Sequence, residues 1–229
     1  MVDDGVSRKP KTLSETVPPP FPFDLPSNWK WTQLGRLVNV LSSKRIHARE
    51  YLKSGVPFYR SKEVGMLSRG CEPHDPHFIA TSRFEEIRDE FGAPKVGDLM
   101  LTSVGSIGNF WLSDGREFYY KDGNVTQLVR HDLIDMQYVQ MFVRSPIFRA
   151  AVDGSVSGTA YNALTIVKIN ALLFPLPPLA EQKRIVSKVT HLLSQVTRLE
   201  STLTRRESTR TQLLTAAIHS LLSGGQDDE

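Results

Sequence analysis

The sequence predicts an α+β protein: a globular domain with a twisted antiparallel β meander and short helices, followed by one long C-terminal coiled-coil helix. Two observations lead to this prediction. Short apolar segments separated by Gly, Asp and Asn turns follow one another between Val96 and Arg130, which is typical of an antiparallel sheet. From Leu179 to Leu222 the sequence contains no Pro or Gly and repeats apolar residues at heptad spacing, which indicates one long helix.

The domain organisation begins with a polar segment that ends in the stretch PPPFP, which favours an extended polyproline conformation in a flexible tail. The ordered part opens with LPSNWKWTQLGRLVNV, where we expect Trp29, Trp31 and Leu34 to enter the core. The alternative for the two tryptophans is an exposed stacking role. The predicted boundaries are a flexible tail over 1–22, a globular domain over 23–177, a long helix over 178–222 and a disordered tail over 223–229.

The predicted meander contains four strands joined by tight connections. Gly105 and Gly108 bracket the first connection, Asp114-Gly115 is interpreted as a hairpin turn, and Lys121-Asp122-Gly123-Asn124 forms a second turn. The last strand, VTQLVR, alternates apolar and polar residues as a half-buried strand does. The predicted strands are Val96–Val104, Asn109–Ser113, Glu117–Tyr120 and Val125–Arg130.

Two helical segments and a polar loop follow the meander. The pattern LIDMQYVQMFV predicts a helix over Leu133–Val143, and Ser145-Pro146 interrupts it. A short second helix is predicted to run to about Val152. The stretch DGSVSGTAYNAL, Asp153–Leu164, is predicted to be a loop because it is rich in Gly, Ser, Thr and Asn.

The long helix has a sharply defined start. Pro175, Pro177 and Pro178 exclude a helix before Leu179. The helix would be about 66 Å long, too long to lie along a domain of this size, so its apolar seam requires a partner. The predicted seam residues are Ile185, Val189, Leu192, Val196, Leu199, Leu203, Leu213 and Ala217.

Arg206 and Arg210 occupy two further seam positions and favour antiparallel pairing. In a parallel pair of identical chains, each arginine would face its own copy and the like charges would repel. In an antiparallel pair with full overlap, Arg206 falls roughly opposite Gln195, an uncharged acceptor. We therefore expect the two globular domains to lie at opposite ends of the pair.

Composition excludes several classes of protein. No apolar run approaches the length of about 18 residues that a membrane span requires, and the N-terminus lacks the apolar segment of a secretory signal. Cys71 is the only cysteine, so no intramolecular disulfide can form and a reducing, cytoplasmic location is expected.

Charge is segregated along the chain although the net charge is only +3. Leu41–Arg69 holds seven basic and two acidic residues, whereas Cys71–Asp98 holds three basic and seven acidic residues. Such a field can steer a polyanion toward one face. Solvated surface charge without a ligand is the alternative interpretation.

The sequence carries no recognisable catalytic motif, and we predict a binding protein that is not an enzyme. Glu181-Gln182-Lys183 resembles a nuclease triplet, but it opens a helix behind a proline, where an acidic residue complements the helix dipole. His74 and His77 with a single cysteine do not make a zinc site. No P-loop, dinucleotide-binding loop or methyltransferase motif occurs, so neither metal nor cofactor is expected in this chain.

Five stretches occur in an order that resembles a known family: LPSNWKWTQLGRL, GVPFYRSKEV, KVGDLMLTSVGSIGNFWL, FVRSPIFRAAV with SGTAYNAL, and LPPLAEQKRIVSKV. Together they cover about Leu25–Leu222. In this order they resemble the DNA-specificity (S) subunit of type I restriction–modification systems, and the last stretch, which opens the family's spacer helix, is the most specific. The usual S subunit holds two recognition domains and two spacer helices, whereas here we find one of each and no internal repeat.

The resemblance implies a half-length or truncated S subunit. Such a chain would bind double-stranded DNA, read one half of a bipartite site and position methyltransferase (M) and restriction (R) subunits in defence against phage. Catalysis would belong to those partners, S-adenosylmethionine to M, and ATP and magnesium to R. An antiparallel homodimer, or pairing with another S polypeptide, would supply the second half, and a homodimer would read a palindromic site.

Candidate DNA contacts are the basic and polar side chains on predicted loops and short-strand ends. A coiled-coil assembly protein that does not bind DNA, and a magnesium-dependent nuclease acting through Glu181 and Lys183, are the alternatives. The candidate contacts are Lys44, Arg45, His47, Arg60, Lys62, Ser103, Ser106, Lys121, Asn124, Ser157, Thr159, Tyr161 and Asn162.

Overall fold

The computed structural model describes residues 23–156 and 163–223. They form two compact units, which divide between Lys183 and Arg184. The predicted tail over 1–22 and residues 224–229 of the predicted C-terminal tail lie outside the described residues. The strands are β1 (Lys30–Gln33), β2 (Val40–Leu41), β3 (Val56–Tyr59), β4 (His77–Ile79), β5 (Leu99–Thr102), β6 (Phe110–Leu112), β7 (Tyr119–Tyr120), β8 (Val125–Leu128) and β9 (Leu173–Leu176). The helices are α1 (Ser61–Leu67), α2 (Thr81–Phe91), α3 (Met136–Arg144), α4 (Pro146–Val156), α5 (Ile166–Ala171) and α6 (Leu179–Ser223).

The predicted antiparallel sheet is present and has the order β2-β8-β5-β6. Leu101 of β5 lies opposite Phe110 of β6 on one side and opposite Thr126 of β8 on the other side. Every residue of β5 and β8 is buried, so both faces of these central strands are covered. The apolar–polar alternation of β8 therefore does not mark a solvent face, because Thr126 and Gln127 are buried as well.

The third predicted strand of the meander lies elsewhere, and this part of the prediction is wrong. β7 pairs in parallel with β3, Phe58 opposite Tyr119, in a second sheet of order β4-β3-β7. The physical reason is aromatic packing: Phe118 is 1% exposed and stacks on Tyr59 with ring centroids 5.0 Å apart. After the turn at Gly115, which has a φ of 98°, the chain enters the hydrophobic core with Phe118 and pairs with β3 instead of β6.

A two-stranded ribbon of β1 and β9 joins the start of the domain to the segment before the long helix. The predicted core residue Leu34 is fully buried, whereas both tryptophans are half-buried. Trp31 packs edge-on against Phe23 with ring centroids 5.0 Å apart. This contact fixes the N-terminal end of the described chain on the ribbon.

The two predicted helices after the sheet are confirmed, with shifted ends. α3 begins at Met136 and not at Leu133, because Asp135 caps it by accepting hydrogen bonds from the backbone of Gln137 and Tyr138. The predicted interruption at Ser145-Pro146 is present. α4 then continues through Val156, so the first residues of the predicted loop are helical.

α6 is the predicted long helix, and it begins at Leu179 directly after Pro178. Ile185 and Val189 are half-buried, and the remaining predicted seam residues are exposed, with Leu199 at 64% and Leu213 at 66%. Among the described helices, none has an apolar stretch long enough to cross a lipid bilayer.

Candidate nucleic-acid interface

Ser61, the first residue of α1, gathers three chain segments at one edge of the globular unit. Its Oγ lies 2.9 Å from the carbonyl oxygen of Val104 and 3.2 Å from that of Asn124. The side chain therefore connects the start of α1 to the β5–β6 loop and to the β7–β8 turn. We call the surface formed by residues 43–47, 60–62, 104–109 and 121–124 the loop edge.

The β5–β6 loop presents Ser106 at an ordered tip of the loop edge. Gly105 and Gly108 have φ values of 78° and 88°, a region that favours glycine. The hydroxyl of Thr102 and the amide of Asn109 both donate hydrogen bonds to the carbonyl oxygen of Ser106. Ser106 is exposed, so its hydroxyl can reach a ligand from a fixed backbone.

The β7–β8 turn carries an ion pair to the basic segment. Nε of Arg45 lies 2.8 Å from Oδ2 of Asp122, yet the Arg45 side chain remains 70% exposed. Burial raises the pKa of the Asp122 carboxyl, but the hydrogen bond from Arg45 and the charge of Lys121 outweigh burial and hold this pKa below its usual value. Lys121 also lies within hydrogen-bond range, 3.5 Å, of the carbonyl oxygen of Ile46. The segment 44–46 is thus tied to the turn.

Lys44 and His47 are positioned through their backbones, which leaves their side chains at the surface. The Lys44 amide donates to the hydroxyl of Tyr119 at 2.7 Å, and its ammonium group lies 4.3 Å from the centroid of the Phe91 ring. The His47 amide donates to Oε2 of Glu50 at 2.8 Å. This hydrogen bond is the largest cause that lowers the pKa of Glu50.

Arg60, unlike the other predicted contacts, uses its guanidinium for several hydrogen bonds within the domain. Its guanidinium donates to both carboxylate oxygens of Glu63, whose side chain is fully buried, and lies 3.0 Å from Nε2 of His77. Burial raises the pKa of Glu63, and the hydrogen bonds from Arg60 lower it to a net value below the ordinary one. Arg60 is therefore needed to balance a buried carboxylate.

Apart from Arg60, the predicted contact residues fall into three groups. Lys44, Arg45, His47, Lys62, Ser106, Lys121 and Asn124 meet at the loop edge with exposed or half-buried side chains. Ser103 does not: it is 4% exposed and its Oγ lies 2.6 Å from Oγ1 of Thr126, so burial removes it from the interface. Ser157, Thr159, Tyr161 and Asn162 lie outside the described residues.

Sequence reasoning missed two residues that organise the loop edge. Ser61 lies between Arg60 and Lys62, and it is not among the contacts predicted from the sequence. Its position in the first turn of a helix is nevertheless one where a serine side chain commonly bonds to the backbone. Asn109 was assigned to a strand, whereas its amide holds the loop. The bridge between Val104 and Ala163 brings the end of the predicted polar loop to the same place.

The residues that suggested metal chemistry do not assemble into a site. Among residues 23–156 and 163–223, no group of three His, Cys, Asp or Glu side chains is arranged to hold a metal ion. Glu181 lies in the first turn of α6, as expected for a residue that complements the helix dipole.

Gln182 anchors the first turn of α6 within the globular unit. The side chain is 1% exposed, its Oε1 accepts from the amide of Asp135 at 2.9 Å, and its Nε2 donates to the carbonyl oxygen of Pro177 at 2.9 Å. Tyr138 adds a hydrogen bond from its hydroxyl to the carbonyl oxygen of Pro175 at 3.0 Å. Burial raises the pKa of Tyr138 to about 12, so this hydroxyl remains a donor at neutral pH.

This fold, an α+β unit that ends in a long helix, is shared by solved specificity-subunit structures. A chain from a study of complex assembly and conformational transition of the type I R-M system superposes with a TM-score of 0.64 at 20% identity, over 88% of this chain and 47% of that chain. The HsdS subunit from Thermoanaerobacter tengcongensis gives a TM-score of 0.57 at 21% identity, over 79% and 41%.

The chain belongs to the family of type I restriction modification DNA specificity domains, whose model matches residues 26–206. It is 29% identical over 160 residues to a putative type I restriction enzyme specificity subunit, S.HindORF215P, from Haemophilus influenzae, covering 69% of this chain and 38% of that protein. It is 23% identical over 206 residues to the EcoAI specificity subunit from Escherichia coli, covering 84% and 33%. The chain thus spans about a third of the length of these relatives. Specificity subunits are not catalytic, so the prediction that this chain is not an enzyme is confirmed by its family.

Proposed function

We propose that this chain binds double-stranded DNA in a sequence-specific manner through its loop edge. The observation that supports this most is the pair of contacts made by Ser61, because they bring the β5–β6 loop and the β7–β8 turn beside the basic segment. Arg45 and Lys62 present exposed cations there, and Ser106 presents an exposed hydroxyl. This combination suits a surface that must contact both phosphates and base edges.

The two kinds of contact have different roles in this proposal. Lys44, Arg45 and Lys62 neutralise phosphates and supply affinity that falls with salt. Ser106 and Asn124 are short and polar, can donate or accept hydrogen bonds, and contact base edges in a groove. Together they read one half of a bipartite DNA site.

The chemistry on DNA belongs to partner subunits in this proposal. A methyltransferase subunit with S-adenosylmethionine modifies the site, and a restriction subunit with ATP and magnesium cleaves unmodified DNA. The chain provides sequence recognition to both partner subunits, and the complex acts in the cytoplasm. α6 pairs antiparallel with the helix of a second specificity polypeptide, through the seam from Ile185 to Ala217, and so sets the distance between the two half-sites.

A salt titration of DNA binding tests the proposed interface. Replacing Lys44→Ala together with Arg45→Ala is expected to weaken binding to all DNA and to lower the slope of log affinity against log salt by about 1 to 2, since each lost phosphate contact contributes about 0.9. The measurement is a gel shift of the chain with its methyltransferase partner at several salt concentrations.

The matched control removes two exposed cations near the opposite end of β8, Lys95→Ala together with Arg130→Ala. It should leave the slope unchanged. If the wild-type chain with its partner shifts no DNA, the alternative of an assembly protein without DNA binding is correct. If both double variants change the slope equally, binding is not located at the loop edge.

A further inference from the structure

The C-terminal half of α6 presents a surface in which three arginines are followed by apolar residues. Arg205, Arg206 and Arg210 line a shallow groove of about 580 Å³ together with Leu213, Leu214 and Ala217. Arg206, Arg210, Leu213 and Ala217 continue the heptad seam that begins at Ile185. The seam therefore changes in character from fully apolar before Leu203 to basic and apolar after it.

These three arginines have no carboxylate partner within residues 163–223 or in the rest of the described chain. None of the ion pairs found between Arg45 and Asp132 of the described chain includes one of these three arginines. Between Arg184 and Ser223 the sequence contains six basic residues and only two acidic ones, Glu200 and Glu207. From Arg184 to Ser223 the sequence is therefore net basic by four charges, with His counted as neutral.

A second copy of the chain is a poor match for this surface. In an antiparallel pair with full overlap, Arg206 falls opposite the Gln195–Val196 step and Arg210 falls opposite the His191–Leu192 step. Neither position offers a carboxylate, so four arginines per pair would lose water without gaining an ionic partner. Two helices of the same positive charge would also repel each other along their length.

DNA is a polyanion that could also bind the three arginines, but the apolar residues beside them favour a protein partner. Leu213 and Leu214 are 66% and 55% exposed, and they lie within the same groove as the arginines. A phosphate-binding surface gains nothing from large aliphatic side chains, whereas a helix that packs in a seam buries them.

We infer that the C-terminal half of the seam pairs with a helix of a different polypeptide that carries acidic residues four apart, facing Arg206 and Arg210. Apolar residues of that helix cover Leu213 and Ala217. The inference rests on the proposed pairing role of α6 and identifies its partner by charge. It also implies that a second copy of this chain binds the seam more weakly than the acidic helix does.

Peptide binding to the full chain tests this inference. The first probe is a synthetic helical peptide with leucine at its seam positions and glutamate at the two positions that face the arginines, and the matched peptide has glutamine there. Fluorescence anisotropy should show the glutamate peptide binding at least tenfold more tightly at low salt, with a smaller ratio at high salt. Arg206→Gln with Arg210→Gln should abolish the difference, since glutamine keeps the helix polar and folded. Arg198→Gln, which lies off the seam, should preserve it.

Three results would overturn the inference. The wild-type chain could bind both peptides equally, sedimentation could show a homodimer tighter than either peptide complex, or the double variant could lose DNA binding while peptide binding is unchanged. A gel shift of the wild-type chain with DNA separates a failure of this inference from a failure of the proposed function. A chain that shifts DNA but does not discriminate between peptides contradicts this inference alone, whereas a chain that fails to shift DNA contradicts the proposed function.

Discussion

At the scale of single residues, the loop edge is shaped by how far each charged side chain is already used within the domain. Arg45 pairs with Asp122 and still exposes most of its side chain, whereas Arg60 is two-thirds covered and balances the fully buried Glu63. Both arginines belong to the basic segment Leu41–Arg69. Their roles differ because only one of them has a buried partner.

Replacing Arg60→Gln should lower the free energy of unfolding at pH 7 by roughly 2–3 kcal/mol. This is less than the loss for breaking a fully buried ion pair, because a third of the Arg60 side chain is exposed. The pKa of Glu63 is lowered in the folded state, so the pair stabilises the fold above the ordinary carboxyl pKa and ceases to do so as the pH falls through the folded-state value. In the variant, Glu63 is buried without its partner and takes up a proton more readily.

Urea denaturation at pH 7 and pH 5 measures this effect, and the loss should be smaller at pH 5. Arg88→Gln is the control, since Arg88 and Asp89 form an exposed pair that contributes about 0–1 kcal/mol. An equal loss at both pH values would show that the charge of Glu63 does not cause the effect.

At the scale of elements, the prolines before Leu179 allow the start of α6 to be predicted from the sequence. The prolines exclude a helix before Leu179, and the helix begins there. The sequence offered no means to see that Gln182 is buried between Asp135 and Pro177, because this contact joins residues 47 positions apart. The pairing of β7 with β3 is also a contact between distant residues. A short aromatic strand gives no local signal of the strand it pairs with, so the sequence predicts the wrong partner for β7.

Replacing Gln182→Ala should lower the free energy of unfolding of the globular unit by about 1–3 kcal/mol, because it leaves the partly buried amide of Asp135 and the buried carbonyl of Pro177 unpaired. Gln195→Ala on the same helix is the control, and it should change stability by less than about 0.5 kcal/mol because Gln195 is exposed. Thermal unfolding of both variants provides the measurement. A Gln182→Ala variant as stable as the control would mean that water replaces the side chain.

At the scale of the whole molecule, the family, the fold class and the long helix could be predicted from ordered motifs and heptad spacing, while the interface could be predicted only in part. The basic segment identified Arg45 and Lys62, which are exposed, but the same criterion of polarity selected Ser103, which is buried. Polarity alone does not distinguish a side chain that meets solvent from one that bonds to a neighbouring strand.

The orientation of the helix pair can be measured where two copies of the chain associate at high concentration. Cysteines are introduced at Ile185 and Ala217 in a Cys71→Ser background, since Cys71 is exposed and would compete. Crosslinks between position 185 of one copy and position 217 of the other should predominate, because antiparallel pairing keeps the arginines apart. Efficient crosslinking between the two copies of position 185 would instead establish a parallel pair.

The central claim is that the loop edge of this chain determines which DNA sequence its partners modify. The most direct test is methylation mapping of a genome in cells that express the partner methyltransferase with the wild-type chain, without it, or with Lys62→Ala and Ser106→Ala together. We expect a bipartite methylated motif that requires the chain and that is lost or relaxed in one half in the double variant. A methylation pattern that is the same in all three strains would contradict this claim.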